Sequence, residues 1–312
     1  MKALITGASG FLGTALCKRL LAEGHEIAAP SSKDADLRLA GTLERFSGTR
    51  YDAIWHLAAW TQAGEFCLHH PGEQWVINQR IHTNVLDWWA RDQPQALMVA
   101  MGTSCAYDPG LPLVEENYLK GEPIGSLFSY AMTKRMLLAG LVSMRKQYGL
   151  EYLHLVPSTL YGPNYHCGGR QPHFIFDLIG KILRGARNGD PVILWGDGHQ
   201  RRELVYIDDF VSAALRLGTV ARNETVNLGS GEDHSIREFA MMICEEVGYD
   251  FDRIRFDTSR YVGARSKMLD VEKKNKLAGP MEQTPLCEGL RNTIKWVCQN
   301  QTKEGLRKGG RG

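Results

Sequence analysis

The stretch Lys2 to Gly13, KALITGASGFLG, narrows the possible folds more than any other part of the 312-residue chain. A short apolar run leads straight into Gly7, Gly10 and Gly13, and these open the amphipathic run LGTALCKRLLAEG. A strand that turns on glycine into a helix begins a βαβ unit, and bare glycines let a pyrophosphate reach free amides at the positive helix end. The GxxGxxG spacing gains its meaning from standing between the first strand and the first helix. Dinucleotide binding is expected at Gly7, Ser9, Gly10, Phe11, Leu12 and Gly13.

The same alternation recurs along the first half. HEIAA, YDAIWHLAA, ALMVAMGTS and YLHLVPSTLYG are almost continuous apolar runs, with the amphipathic NVLDWWARDQ and KRMLLAGLVSMRKQYG between them. Continuous apolar strands alternating with helices mean a parallel sheet covered on both faces, a doubly wound α/β domain. After Gly162 glycine and proline cluster and the pattern loosens, then returns at RELVYIDDFVSAALRL and ETVNLGS. The expected division is a Rossmann-type dinucleotide-binding domain over 1–162 and 205–230, and a smaller α/β substrate lobe over 163–204 and 231–312.

Composition removes several classes. With 43% hydrophobic and 23% charged residues the chain suits a soluble globular protein. The net charge of +2 is concentrated in the last ten residues, where Lys303, Arg307, Lys308 and Arg311 outweigh Glu304, so the body lies near −1 and offers no nucleic-acid surface. That end reads as a frayed tail, about 303–312. No signal core and no apolar run near membrane-spanning length is present, and a cytoplasmic location without membrane partners is the expectation. Seven scattered cysteines without CxxC spacing suit neither a disulfide framework nor a zinc site, and no metal is expected.

The end of the second strand reads the cofactor type. An acid there would bind a ribose 2′-hydroxyl, but Pro30, Ser31, Ser32 and Lys33 follow HEIAA. Two hydroxyls and a lysine suit a 2′-phosphate, so NADPH is expected over NAD, with Asp34 the one residue pulling the other way. In SYAMTK, Tyr130 and Lys134 stand four apart at the head of a helical run and project from one face. A lysine ammonium beside a phenol favours the phenolate and makes tyrosine useful in acid–base work. The third partner is a hydroxyl at a strand end, Thr103 or Ser104 of MVAMGTS, with Thr103 preferred.

With the glycine turn, YxxxK and a strand-end hydroxyl in place, the chain resembles the extended short-chain dehydrogenase/reductase family, which acts largely on nucleotide sugars. Thr103 and Tyr107 match the family's SxxxY run, and HLAA, His56 to Ala59, matches the segment after its third strand. The resemblance implies that Leu57, Ala58, Ala59 and Lys134 help hold the cofactor. It also implies that Thr103 and Tyr130 hydrogen-bond a substrate carbonyl oxygen, and that the subunit forms a homodimer through two helices.

Cys105, in GTSCAY, sets the chain apart within that resemblance. It is similar to the family's bifunctional members, which invert C3 and C5 of a GDP-linked 4-keto-6-deoxy sugar and then reduce C4. Those members pair a cysteine here with a histidine of the substrate lobe, for which His173 of PHFIFDLIGKI is the counterpart, His166 and His199 being alternatives. Protons on C3 and C5 are both α to the C4 ketone, so one hole for negative charge on that oxygen makes both removable. Cysteine and histidine both titrate near neutral pH. Lys181, Trp195 and Arg202 match the family's nucleotide contacts, with Arg201 adjacent to Arg202, and Lys267 of the later SKMLD is expected among the substrate-binding residues. Thr159 stands where the family carries an asparagine before LYGP. Two other readings use the same residues: an NAD-dependent epimerase without net reduction, and a 4-keto reductase on another keto sugar. A non-catalytic NADPH sensor is the reading from another class, and such a protein has no need of an intact Tyr130 and Lys134.

Overall fold

The computed structural model describes residues 1–61, 66–165, 172–259 and 265–308, with the side chains of Phe66 and of 301–308 outside the description. The strands among them are β1 (Lys2–Thr6), β2 (Glu26–Ala28), β3 (Ala53–His56), β4 (Leu97–Met101), β5 (Tyr152–Pro157), β6 (Thr159–Tyr161), β7 (Ile193–Trp195), β8 (Arg201–Tyr206), β9 (Glu224–Leu228), β10 (Asp233–Ser235) and β11 (Arg255–Asp257). The helices are α1 (Phe11–Ala22), α2 (Phe66–His69), α3 (Pro71–Asp92), α4 (Phe128–Tyr148), α5 (Phe174–Asn188), α6 (Ile207–Val220), α7 (Ile236–Val247), α8 (Glu272–Ala278) and α9 (Leu286–Lys308).

Six strands form one sheet in the order β2-β1-β3-β4-β5-β9, parallel throughout. The register pairs Leu4 with Ile54 and Ile54 with Met98, so side-chain alternation sends these three to one face. There they meet Val85, Trp88 and Trp89 of α3 and Leu137 and Leu141 of α4. Ala3, Ile5, Trp55, Val99 and Leu155 point the other way, onto Leu16 and Leu20 of α1 and Phe210 and Leu217 of α6. Each such fully buried side chain contributes about 1.5–3 kcal/mol relative to exposure. The indole nitrogens of Trp88 and Trp89 are satisfied by Ser47 Oγ at 2.9 Å and the Ala96 carbonyl at 3.0 Å. This is the doubly wound parallel sheet that the strand–helix alternation predicts.

The second lobe carries a three-stranded sheet, β10-β8-β6, and the parallel pair β11-β7. Its core joins Ile175, Ile179 and Ile182 of α5 to Phe239 and Ile243 of α7 and to Leu290 and Ile294 of α9. The 204/205 division falls inside β8: Leu204 and Tyr206 join the lobe's core while Val205, on the opposite side of the strand, joins the sheet's. The stretch around 269–281 also departs from the expected lobe. Leu269 enters one face of the large sheet, while Leu277, Ala278 and Met281 pack on the other, where α8 lies against α6. Of the expected tail, 303–308 continue α9, since KEGLRK holds no proline and mostly good helix formers, and 309–312 lie outside the described residues. No helix among the described residues is long and apolar enough to cross a membrane. No group of three or more His, Cys, Asp or Glu among them could hold a metal ion.

Candidate active site

The glycine turn shows why each glycine is there. Gly7 has φ +72°, and a Cβ on it would lie 2.8 Å from the Ala58 nitrogen; a Cβ on Gly13 would lie 2.3 Å from the Gly7 carbonyl oxygen. Both are packing glycines. Gly10 differs, since only the Gly7 oxygen, at 3.3 Å, is near its bare side. Gly10 precedes α1 and brings no capping side chain, which leaves the first amides of the helix, Phe11 and Leu12, for an anion. The Phe11 ring turns away into the second lobe, edge-on to Tyr165 at 5.3 Å and Phe176 at 6.2 Å. Its backbone is therefore the part that faces the turn. Ser9 is exposed, and Leu57, Ala58 and Ala59 form a half-buried shelf whose Ala58 amide donates to Thr6 Oγ1 at 3.3 Å. These residues fit a dinucleotide pyrophosphate.

Ser31, Ser32 and Lys33 are exposed beyond β2. Asp34 turns back on them: its Oδ2 accepts from the Ser31 amide at 3.0 Å and from Ser31 Oγ at 2.7 Å. The Ser31 hydroxyl holds the Asp34 carboxyl below the usual carboxylate range. The acid that weighs against a 2′-phosphate is thus already engaged, and it takes the Ser31 hydroxyl proton with it, leaving Ser32 and Lys33 as the residues turned to solvent.

The candidate catalytic residues gather where β4 meets α4. Thr103, extended and buried, caps a short turn over Ser104–Ala106: its Oγ1 accepts from the Cys105 amide at 3.3 Å, and its own amide donates to Tyr118 Oη at 3.2 Å. Tyr130 lies in the first turn of α4 and Lys134 one turn later, 2% exposed, with Nζ 5.9 Å from the Tyr130 ring centroid. Burial lowers the Lys134 pKa to about 8. Burial also raises the Tyr130 phenol above its ordinary value, with Cys105 and Cys67 adding to the rise. Desolvation of the phenol dominates, so the enclosed site favours the neutral form over the phenolate. A neutral phenol is the form that donates a proton to a ketone oxygen during reduction.

Lys267 donates to Cys105 Sγ at 3.3 Å. Lys267, expected among the substrate-binding residues, has its ammonium on the sulfur. Arg202 is close enough to feel Cys105, and its guanidinium pKa is lowered by enclosure and partly restored by that sulfur. Arg201 faces the opposite side of β8, its Nε 2.7 Å from Asp233 and its Nη1 3.3 Å from Glu238, so of the two arginines Arg202 is the one turned toward the cysteine. His173 caps α5, its amide donating to Tyr165 Oη at 3.3 Å. The His173 residue is exposed, its ring lies 5.9 Å from that of Tyr165, and desolvation by the surrounding protein lowers its pKa.

Farther out, Lys181 Nζ lies 5.9 Å from the ring centroid of Trp195, an exposed aromatic surface, and 2.8 Å from Asp177. Thr159 opens β6 opposite Leu204. His199 lies on an exposed turn, and His166 falls outside the described residues. Sequence reasoning passed over Tyr118, which holds the Thr103 amide, and Arg135, which directly follows Lys134. The signal for Arg135 is its place at the i+4 position between the buried Ala131 and Leu138, where a cation needs partners.

A glycine cradle, a strand-end threonine and a tyrosine–lysine pair on one helix are the parts of a short-chain dehydrogenase/reductase. The chain belongs to the NAD dependent epimerase/dehydratase family, whose model matches residues 3–229. It is 28% identical to GDP-L-fucose synthase of Escherichia coli over 97% of this chain and 98% of that protein. It is 30% identical to dTDP-4-dehydro-6-deoxy-D-allose reductase of a Streptomyces species over 94% of this chain and 95% of that protein. The solved GDP-L-fucose synthetase from Naegleria fowleri bound to NADP superposes with a TM-score of 0.86 at 23% identity, over 96% of this chain and 95% of that one.

Proposed function

We propose that this chain is an NADPH-dependent enzyme of the GDP-L-fucose synthase type, which epimerises a GDP-linked 4-keto-6-deoxy hexose at C3 and C5 and then reduces C4. The observation that carries the reading is Cys105, held by the Thr103 turn with the Lys267 ammonium on its sulfur. A plain reductase has no use for a nucleophilic base at that point.

Thr103 and Tyr130 hold the C4 oxygen and stabilise the enolate that forms when an α-proton leaves. Cys105 takes the proton on one face, and His173 returns one on the other, which inverts the carbon; the same pair then serves the second α-carbon. Gly7, Ser9, Gly10, Phe11, Leu12 and Gly13, with Leu57, Ala58, Ala59 and Lys134, hold the dinucleotide, and Ser32 and Lys33 take its 2′-phosphate while Ser31 holds Asp34 away from it. When bound, the cofactor supplies the hydride that reduces C4. Tyr130 gives its phenolic proton to the C4 oxygen, and the Lys134 ammonium replenishes it. Lys181, Trp195, Arg202 and Thr159 face the nucleotide sugar. Exposed Val76 on α3 and Met136 and Val142 on α4 support a homodimer through these helices, which sedimentation would test.

The test supplies the protein with GDP-4-keto-6-deoxy-mannose and NADPH. One NADPH consumed per sugar with inversion at two carbons supports the reading, and inversion without NADPH consumption overturns it in favour of a self-contained epimerase. The likeness to the Streptomyces allose reductase favours reduction alone as the second reading, which predicts oxidation of NADPH with no inversion.

A further inference from the structure

We propose that Lys267 acts through Cys105, holding its sulfur as the anion that removes the α-protons, and does not serve the nucleotide diphosphate. The inference rests on the epimerase–reductase reading and gives one of its residues a different task. Three observations support it.

The first is the contact, with Lys267 Nζ donating to Cys105 Sγ at 3.3 Å across 162 positions of sequence. A neutral thiol is a weak acceptor, whereas a thiolate takes a full charge-assisted hydrogen bond from an ammonium. The second is the way the segment bearing Lys267 is pinned on both sides. The Arg265 carbonyl accepts from the Arg201 amide at 2.8 Å, and Ser266 Oγ donates to Asp233 at 2.9 Å. The Leu269 amide donates to the buried carboxylate of Glu203 at 3.1 Å, and the Asp270 amide to the Leu113 carbonyl at 3.1 Å. A long side chain that starts from a fixed backbone loses less freedom in reaching one partner. The third is that Arg201 is held by Asp233 and Glu238 and Arg202 Nη1 donates to the Arg201 carbonyl at 2.7 Å, so that Lys267 is the cation in direct contact with the sulfur. Arg202 can meet the diphosphate, which leaves Lys267 to the cysteine.

In the step itself the sulfur electron pair forms an S–H bond as the C–H bond breaks, and the carbon's electron pair moves to the C4 oxygen held by Thr103 and Tyr130. That pair returns to the carbon as it takes the His173 proton on the opposite face. Cys105 ends with one proton more and His173 with one fewer, and exchange with solvent restores both. The Lys267 ammonium keeps its proton throughout.

Lys267→Met and Lys267→Arg test the proposal with two readouts. The first is alkylation of Cys105 by iodoacetamide, followed at its own peptide by mass spectrometry. Because the thiolate is the nucleophile, the methionine variant should react roughly 10-fold or more slowly and the arginine variant should recover most of the rate. The second is deuterium uptake into the 4-keto sugar, which should fall roughly 10²-fold in kcat with KM little changed, while NADPH oxidation on a pre-epimerised sugar falls far less. An unchanged alkylation rate overturns the proposal. So does a rise in KM that weakens exchange and reduction together, the signature of a lost diphosphate contact. If wild type takes up no deuterium at all, the epimerase reading fails instead, and the alkylation readout still decides whether Lys267 governs Cys105.

Discussion

The Arg135 guanidinium donates from Nε to the Ala106 carbonyl at 2.8 Å, and so ties the helix that carries Tyr130 and Lys134 to the turn that carries Cys105. Its other two nitrogens reach the carbonyls of Gly121 and Lys120, both at 2.7 Å, and the residue is only 6% exposed. The spacing between the tyrosine and the cysteine is thereby set by a side chain that touches neither.

Removing that side chain leaves three carbonyls short of a donor. Lys120 and Gly121 are exposed and water replaces the donor there, so at about 1–3 kcal/mol for the one buried carbonyl, that of Ala106, Arg135→Met should lower the unfolding free energy by roughly 1–3 kcal/mol. Urea unfolding followed by tryptophan fluorescence measures it. A midpoint within error of wild type would show that water replaces the guanidinium at no cost.

Three histidines make the fold sensitive to acid. His56 accepts or donates at Thr6 Oγ1 (2.9 Å) and at His82 (2.8 Å), and His154 lies edge-on to Tyr118 at 5.0 Å, all three fully or almost fully buried. Burial, with Lys134 adding to it, lowers His56 and His154 to about 3 and His82 well below its ordinary value. The unfolded chain binds protons at these residues below about pH 6.5 while the folded one does not. Stability is therefore full above that pH and declines as pH falls toward 3, each histidine contributing a slope of up to about 1.4 kcal/mol per pH unit. A Tm that stays level between pH 7 and pH 5 would contradict this, and a His154→Phe variant with a shallower decline would support it.

Lys134 sets the alkaline limb of the reduction. It must be protonated to replenish Tyr130, and burial brings its pKa to about 8, so the rate of C4 reduction should fall as pH rises through that value. Single-turnover oxidation of NADPH across pH 6–10 reads the profile directly. A flat profile in that range would remove Lys134 from the proton path.

Cofactor choice turns on the exposed end of β2. Lys33→Glu places an acid where a 2′-phosphate is expected, and should weaken NADPH by roughly tenfold or more, about 1.4 kcal/mol, while NADH changes little. Fluorescence titration of both cofactors decides it. Equal losses for the two, or none, would move 2′-phosphate recognition to other residues.

What the sequence disclosed was whatever its own neighbours could signal. The glycine turn, the Tyr130–Lys134 spacing and Cys105 two positions after Thr103 are local patterns, and the alternation of apolar runs with helices implies a sheet covered on both sides. Partners set by long-range folding were hidden. Lys267 meets Cys105 only because pins on Glu203, Asp233 and Leu113 bring distant segments together. Asp34 looked like an adenosine-side acid until its carboxylate was found on Ser31. The packing of the stretch around 269–281 on the large sheet is illegible in sequence because the apolar face it shows to α6 is too short to read as a helix of the sheet domain. Tyr130 looked like a phenolate because spacing alone conveys the charge beside it and not its desolvation.

Deuterium uptake from heavy water tests the central claim most directly. With NADP⁺ in place of NADPH, reduction is blocked and only enolisation can act on a GDP-4-keto-6-deoxy-mannose. Wild type should gain deuterium at two carbons, C3 and C5. Cys105→Ser, whose hydroxyl is too weak a base at neutral pH, should gain it at neither, and with NADPH should still form some unepimerised 6-deoxy sugar. Normal uptake by the serine variant would contradict the account and leave Cys105 a small half-buried residue beside a reductase site.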